Sequence, residues 1–214
     1  MKVLLINGSP RPQGCTNRAL VEITKEFEDA GVDFEILHIG NAPVRGCAAC
    51  GACRKNDDNK CVFSADLVND AIEKMKNADA LIIGSPVYYA NATGSFRSFL
   101  DRMFFAGGDI FKHKPAAAVV NCRRGGASAT FDQLNHYFLI SNMMVVGSQY
   151  WNITHGRNPS EVEQDLEGLQ TMRTLGKNMI WIMKCIKMGL ENGIRFPRLE
   201  EKVRTNFISD PIED

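Results

Sequence analysis

Five short apolar segments alternate along this chain with amphipathic segments of helical period, and this alternation most constrains its fold. A strand followed at once by a helix that packs back on the sheet is typical of parallel α/β architectures. We therefore expect a doubly wound, three-layer α/β/α domain with five parallel strands in the order 2-1-3-4-5. The predicted strands are residues 2–7, 33–39, 79–84, 115–121 and 143–147. One predicted helix is capped by Thr16 and stopped by Gly31, and the others are residues 65–77, a segment beginning near Ser95, residues 128–140 and residues 160–190.

The composition indicates a small-molecule partner. The 214 residues are 44% hydrophobic, enough for the core of one α/β domain, and 25 Lys and Arg balance 25 Asp and Glu. This balance predicts neither a nucleic-acid footprint nor a polybasic membrane surface. No apolar run reaches the roughly 18 residues of a membrane span, and a core strand opens the chain, so we expect a cytoplasmic protein without a signal peptide. Seven cysteines, four of them within fifteen positions, indicate metal or redox ligands in a reducing compartment.

The loop between the first strand and the first helix, NGSPRPQGCTN, has the chemistry of a phosphate site. Ser9 and Thr16 supply hydroxyls, Arg11 supplies a guanidinium, and the start of the helix supplies free N–H groups. Its two glycines, Gly8 and Gly14, do not form the three-glycine dinucleotide fingerprint, and no Gly-Lys-Ser/Thr follows. The loop therefore favours a mononucleotide, the alternative being an ordinary strand-to-helix turn.

Two further loops follow strands that end at the same edge of the predicted sheet, where doubly wound folds bind ligands. In GSPVYYANATG, Pro86 stiffens the turn, and Tyr88 and Tyr89 offer aromatic faces suited to a planar flavin ring. In NCRRGGAS, two glycines permit close backbone approach, and Arg123 and Arg124 suit a phosphate of a nicotinamide nucleotide. The alternatives are ordinary packing for the tyrosines and a solvated loop for the arginines.

Four cysteines form a compact C-x2-C-x2-C-x7-C run at Cys47, Cys50, Cys53 and Cys61. Tight C-x2-C-x2-C spacing is typical of iron–sulfur clusters, whereas zinc sites usually have two separated C-x2-C pairs. Small residues between the cysteines leave the backbone free to wrap around a cluster. The run favours an iron–sulfur cluster, with zinc and unliganded thiols as alternatives.

Together these motifs make the chain similar to the iron–sulfur flavoproteins of the NADPH-dependent FMN reductase family. The resemblance covers about residues 1–185 and is carried by GSPRPQGCTN, CAACGACRKNDDNKC and SPVYYANATGSFRSFLDR. It implies a flavodoxin-like FMN-binding domain at residues 1–186 with a cysteine-rich loop at residues 46–62. It implies that the FMN phosphate is held by Ser9, Arg11, Thr16 and Asn17, and that the ring is lined by Pro86, Val87, Tyr88, Tyr89 and Asn91. We expect Asn121, Arg123 and Gly125 to complete the cofactor site. The same resemblance implies a [4Fe–4S] cluster on Cys47, Cys50, Cys53 and Cys61.

The resemblance further implies an FMN-dependent oxidoreductase that passes electrons between FMN and the cluster. NAD(P)H or a small redox protein would be the donor or acceptor, and the chain would form a homodimer or homotetramer. The alternatives are a cluster-free NAD(P)H-dependent FMN, quinone or azo reductase, a flavodoxin-type electron carrier, and a zinc-stapled binding module. Zero net charge disfavours the carrier, since such carriers tend to be strongly acidic.

Residues 187–214 have no counterpart in the resemblance and form a predicted C-terminal extension. Phe196, Pro197, Leu199, Phe207 and Ile208 are apolar positions that suit an arm packed on a neighbouring subunit, the alternative being a frayed tail.

Overall fold

The computed structural model describes residues 1–56, 58–201 and 203, and strands and helices alternate along them. The strands are β1 (Lys2–Asn7), β2 (Asp33–His38), β3 (Ala80–Pro86), β4 (Pro115–Cys122), β5 (Met144–Val145) and β6 (Ile153–His155). The helices are α1 (Cys15–Asp29), α2 (Ala52–Lys55), α3 (Val68–Lys76), α4 (Gly94–Gly107), α5 (Ala127–Ile140), α6 (Pro159–Val162) and α7 (Leu166–Glu191). A 3₁₀ turn over Gly108–Phe111 follows α4.

The strands form one parallel sheet in the order β2-β1-β3-β4-β5, which confirms the predicted order. The register pairs Asn7 of β1 with Gly84 of β3, and Pro86 of β3 with Asn121 of β4. Parallel pairing therefore brings the carboxyl ends of these three central strands to one edge of the sheet, where their loops begin.

Side chains alternate between two apolar cores because successive strand residues point to opposite faces. Leu4 and Ile6 of β1 pack in the core formed with α3, α4 and α5. Val3 and Leu5 pack in the core formed with α1 and α7. Since both faces of the sheet are covered, its central strands are nearly continuous apolar runs, and the predicted three-layer sandwich is confirmed.

The fifth predicted strand, residues 143–147, is wrong in extent. Only the two residues of β5 pair with the start of β4, and β6 pairs separately with its end. Buried side-chain amides hold this edge: Asn121 Nδ2 donates to the Thr154 carbonyl at 3.1 Å, and Asn152 Nδ2 donates to the Ala118 carbonyl at 3.1 Å. Three residues of strand held by polar side chains carry no apolar period, which is why the sequence pattern misses β6.

The predicted helix at residues 160–190 is two helices, because Asp165 interrupts it. The Asp165 carboxylate accepts from Gly168 N at 2.9 Å, which caps α7, and from His155 N at 2.6 Å. These two bonds separate the single turn of α6 from α7 and attach the start of α7 to β6.

Thr16 is not the N-cap of the first helix. Gly14 occupies the cap position in extended conformation, and Thr16 lies buried in the first turn of α1. Gly31 is in the left-handed conformation just after the helix, as its predicted stop requires. The predicted helix at residues 65–77 is shorter than expected, since α3 begins at Val68.

The predicted extension begins within α7, which continues to Glu191. Beyond the helix, the Phe196 ring stacks on the His113 ring of the same chain with centroids 4.8 Å apart. Phe207 and Ile208 lie outside the described residues. None of the helices in the described residues combines the length and apolarity needed to cross a membrane.

A buried carboxylate joins α1 to α7. Glu22 is 4% exposed, and its oxygens accept from Lys25 Nζ at 2.7 Å, Arg18 Nη1 at 3.0 Å and Arg173 Nη1 at 2.5 Å. Burial opposes ionisation of Glu22, but the hydrogen bonds from these three cations outweigh it and lower the pKa to about 2. Ionised Glu22 therefore stabilises the folded state.

We predict that Glu22→Gln lowers the free energy of unfolding by about 2–3 kcal/mol at pH 7, because three cations lose their shared partner. The folded pKa lies below the unfolded one, so the difference between wild type and variant is full above about pH 4.5 and disappears as the pH falls toward about 2. Urea unfolding at pH 7 and pH 3 measures it. Glu73→Gln, on an exposed carboxylate paired with Lys76, is the control and should change little. An equal loss in both variants would contradict the assignment.

Candidate functional site

The structure brings the three predicted loops together at the carboxyl edge of the sheet. Gly8 N, after β1, donates to the Gly84 carbonyl at 2.8 Å. Thr93 Oγ1, at the start of α4, donates to the Gly8 carbonyl at 3.2 Å. Val87 N, after β3, donates to the Asn121 carbonyl of β4 at 3.0 Å. The loops after β1, β3 and β4 are therefore linked to one another directly.

Two glycines permit these loops to approach. A Cβ on Gly8 would lie 2.3 Å from the Phe96 ring of α4, so this ring packs against bare backbone. A Cβ on Gly126 would lie 2.7 Å from Ala90 Cα, and Gly126 has a φ of +86°. Only glycine meets both requirements at residue 126, because other residues are strained at such a φ.

Side-chain hydrogen bonds shape the loop between β1 and α1. Asn7 is fully buried, and its Oδ1 accepts from Ser9 N at 3.0 Å while its Nδ2 donates to Asn17 Oδ1 at 3.4 Å. Ser9 Oγ accepts from Arg11 N at 3.1 Å. His38, at the end of β2, forms a 2.8 Å hydrogen bond with the Ser9 carbonyl. The sequence assigns no role to Asn7, which opens the motif NGSPRPQGCTN, or to His38, because both act through hydrogen bonds to other parts of this loop.

The first turn of α1 has the features of an anion site. Thr16 is 1% exposed, and its Oγ1 has no hydrogen-bond partner among the residues that the structure describes. In the same part of the chain no side chain caps α1, so its dipole faces this loop uncompensated. A buried hydroxyl without a partner is costly, and a phosphate oxygen would supply the missing acceptor. Arg11 is exposed beside this turn.

The loop after β3 forms a tight two-residue turn. Tyr88 N donates to the Asn91 carbonyl at 2.8 Å, and Asn91 N donates to the Tyr88 carbonyl at 3.0 Å. Tyr89 and Ala90 at its tip have positive φ values of 51° and 59°, a strained conformation for non-glycine residues. Tyr88 is 48% exposed and Tyr89 is 100% exposed, so core packing does not account for either ring.

The loop after β4 offers fewer free groups than the sequence predicts. Asn121 is buried, and its Nδ2 is already bonded to both the carbonyl and the Oγ1 of Thr154 at 3.1 Å. Its carbonyl positions the loop after β3, as described above. Arg123 and Gly125 are exposed at the same edge.

The four clustered cysteines line one cavity. Cys47 and Cys50 are exposed, whereas Cys53 and Cys61 are half-buried, and α4 supplies Arg102, Phe105 and Ala106 to the opposite wall. Burial raises the pKa of the Cys53 thiol, and the charges of the other three cysteines raise it further. No three His, Cys, Asp or Glu side chains converge as ligands of a single ion within residues 1–56, 58–201 and 203.

A fully buried arginine organises the cysteine-rich loop. Arg102 is 1% exposed; its Nε donates to Cys61 Sγ at 3.3 Å and its Nη2 donates to the Phe63 carbonyl at 2.6 Å. Its Nη1 donates to Asp66 and, at 3.3 Å, to the Arg45 carbonyl. Burial opposes the charge, but the bonds to Asp66 and Cys61 outweigh it and raise the pKa of Arg102, which stays charged. Helical periodicity places apolar residues of α4 inward and gives no signal that this charged residue is buried.

Comparison with known proteins gives matches over most of the chain. The sequence profile of the NADPH-dependent FMN reductase family matches residues 1–158. An iron–sulfur flavoprotein of Methanocaldococcus jannaschii is 33% identical over 195 residues, covering 87% of this chain and 100% of the relative.

Two solved structures share the fold. RosB with bound 8-demethyl-8-formylriboflavin-5'-phosphate covers 100% of this chain and 96% of its own, with a TM-score of 0.68 and 14% identity. A flavodoxin from the domain Archaea covers 86% of this chain and 99% of its own, with a TM-score of 0.58 and 16% identity. These similarities confirm the predicted flavodoxin-like fold.

We predict that Gly126→Ala destabilises the protein by about 2 kcal/mol or more, because it adds a methyl group against Ala90 at a φ that disfavours side chains. Gly125→Ala is the matched control, since a Cβ there meets no atom of the described residues within 4 Å. Thermal unfolding of the two variants measures the difference. Equal melting temperatures would show that the loops after β3 and β4 are not held in this close contact.

Proposed function

This chain belongs to the NADPH-dependent FMN reductase family, as its motifs predicted, and on that premise we propose that it passes electrons between FMN and a [4Fe–4S] cluster. Family membership makes it an FMN-dependent oxidoreductase. Two alternatives from the sequence, a flavodoxin-type electron carrier and a zinc-stapled binding module, are therefore set aside. The observation that carries the proposal is that α4 begins at the end of the loop after β3 and forms a wall of the cysteine-lined cavity.

The loop between β1 and α1 fits the phosphate of FMN. The unpartnered Thr16 hydroxyl and the uncapped start of α1 offer donors, and Arg11 offers a compensating charge. Ser9 and Asn17 are held in the same loop by their hydrogen bonds.

The ring of FMN would lie against the loops after β3 and β4. Pro86, Val87, Tyr88, Tyr89 and Asn91 supply the first of these walls, and Asn121, Arg123 and Gly125 supply the second. The flavin, when bound, exchanges electrons in pairs with a hydride donor or singly with a cluster. No acid or base of the protein is required for that exchange, so the residues of this chain act by binding and orienting.

The cysteine-rich loop fits a cluster better than a single ion. Each cysteine of a four-iron cluster ligates a different iron, so the four sulfurs need not converge on one point. The guanidinium of Arg102 faces this loop and donates to Cys61 Sγ at 3.3 Å, which favours negative charge on that sulfur.

The donor and the assembly complete the proposal. Arg123 and Arg124 are exposed in the loop after β4, where a guanidinium would pair with a phosphate of NAD(P)H. A homodimer or homotetramer stays a prediction of the family resemblance.

A second candidate function is a cluster-free NAD(P)H-dependent FMN, quinone or azo reductase. The exposure of Cys47 and Cys50 favours it, since exposed thiols need no ligand to satisfy them. The two functions share the FMN site and differ only at the cysteine-rich loop, so the metal content of the purified protein separates them.

We predict that Thr16→Val weakens FMN binding about tenfold, because the variant keeps the shape of the side chain and loses one hydrogen bond to a charged phosphate. Fluorescence titration of the apoprotein with FMN measures the dissociation constant. Thr24→Val on the same helix is the control, since the Thr24 hydroxyl donates to the Val21 carbonyl at 3.0 Å. Unchanged FMN affinity in Thr16→Val would place the phosphate elsewhere.

We predict that anaerobically purified wild type holds about four irons and four sulfides per chain, and that Cys50→Ala loses both while it keeps FMN. The loops that hold the two cofactors follow different strands, so loss of the cluster leaves the flavin spectrum. Cys185→Ala, at an exposed cysteine of α7, is the control. Iron and sulfide assays with a visible spectrum provide the measurement. Wild type with FMN alone, or with zinc, would favour the cluster-free reductase.

A further inference from the structure

We propose that Arg102 is the positioning residue of the cluster site: together with Asn69 it fixes Cys61 as the ligand on which the other three cysteines close. This inference rests on the proposed cluster. It adds that the four cysteine ligands are not equivalent, because Cys61 is fixed and the other three close on it. Arg102 lies on α4 and Asn69 on α3, so both residues belong to helices of the core rather than to the cysteine-rich loop.

Cys61 is held through both its backbone and its sulfur. Asn69 Oδ1 accepts from Cys61 N at 2.8 Å, and Asn69 Nδ2 donates to the Cys61 carbonyl at 2.8 Å. Arg102 Nε donates to Cys61 Sγ at 3.3 Å. Two rigid helices therefore define where this sulfur lies.

Other cysteines of the run lack such anchors in the described part of the chain. Cys47 and Cys50 are exposed, and the hydrogen bond at Cys47 Sγ comes from the nearby Ala49 N at 3.5 Å. Ala49 and Gly51 adopt positive φ values of 52° and 68°, which turn the backbone sharply between the first three cysteines. Cys47 and Cys50 therefore lie on local turns, and Cys53 on α2 packs against the apolar core. Cys61 is in addition hydrogen-bonded to two core helices.

The pairing of the guanidinium supports a role beyond a salt bridge. A buried charge is costly unless its donors are satisfied, and Arg102 uses Nη1 and Nη2 on Asp66 and on two carbonyls. Its remaining nitrogen, Nε, is directed at a sulfur, a weak acceptor as a thiol and a stronger one as a metal-bound thiolate. Hydrogen bonds to ligand sulfur stabilise the more negative, reduced form of a cluster and so raise its reduction potential.

The test compares Arg102→Lys, Asn69→Ala and Arg54→Lys with wild type after anaerobic reconstitution. Three quantities are measured: the rate of iron release to a chelator, the reduction potential of the cluster, and the melting temperature of each apoprotein. Arg54→Lys is the matched control, because it is the same substitution at an arginine that stacks over Phe105 beside the same cavity.

We expect Arg102→Lys to release iron about tenfold faster and to shift the potential to more negative values, since lysine keeps the charge but cannot reproduce the planar fork. Asn69→Ala should release iron faster at an unchanged potential, because Asn69 holds the backbone and not the sulfur. Arg54→Lys should match wild type in both. The potential separates this role from a purely structural one. If apo Arg102→Lys does not fold, Asn69→Ala decides whether Cys61 is the anchored ligand: iron release at the wild-type rate would overturn the inference.

Two results would overturn the inference, and they have different consequences for the proposed function. If wild type takes up iron and sulfide but Arg102→Lys and Asn69→Ala retain them as wild type does, Arg102 has no positioning role and the proposed function stands. If wild type takes up neither, the cluster and the role of Arg102 fall together.

Discussion

The packing of the Phe96 ring on the bare backbone of Gly8 determines where α4 lies at the carboxyl edge of the sheet. Thr93 strengthens this contact, because its hydroxyl caps α4 and bonds to the Gly8 carbonyl. With its start fixed against the loop after β1, α4 presents its later turns to the cysteine-rich loop. One contact between a glycine and an aromatic ring thus relates the loops at the carboxyl edge of the sheet to the cysteine-lined cavity.

The sequence predicts the parts of the fold that depend on local pattern. The central strands are apolar on both faces and the helices have clear stripes, so their order and layers follow from periodicity. β6 has neither signal, because buried amides of Asn121 and Asn152 hold it in place. Thr16 illustrates another limit: a threonine before a helix is predicted as its cap, but the chain places Gly14 there and buries the hydroxyl.

The candidate site likewise contains residues that a sequence pattern identifies and residues that it does not. Motifs name the residues that would touch a cofactor, because those residue types carry the chemistry. They assign no role to Arg102, although it ends the motif SPVYYANATGSFRSFLDR, or to Asn69 and His38, because these residues act on other protein groups through tertiary hydrogen bonds. A supporting residue is defined by what lies opposite it in the fold, and a linear pattern does not contain that information.

The divided strand at the β4 edge has a consequence for association between chains. An unbroken edge strand presents a row of free N–H and C=O groups that can pair with another molecule. Here two residues of β5 and three of β6 cover the two ends of β4, with residues 146–152 between them. Neither strand is long enough to pair stably with a strand of another molecule. This side of the sheet therefore resists aggregation, although β5 and β6 contain no Lys, Arg, Asp, Glu or Pro.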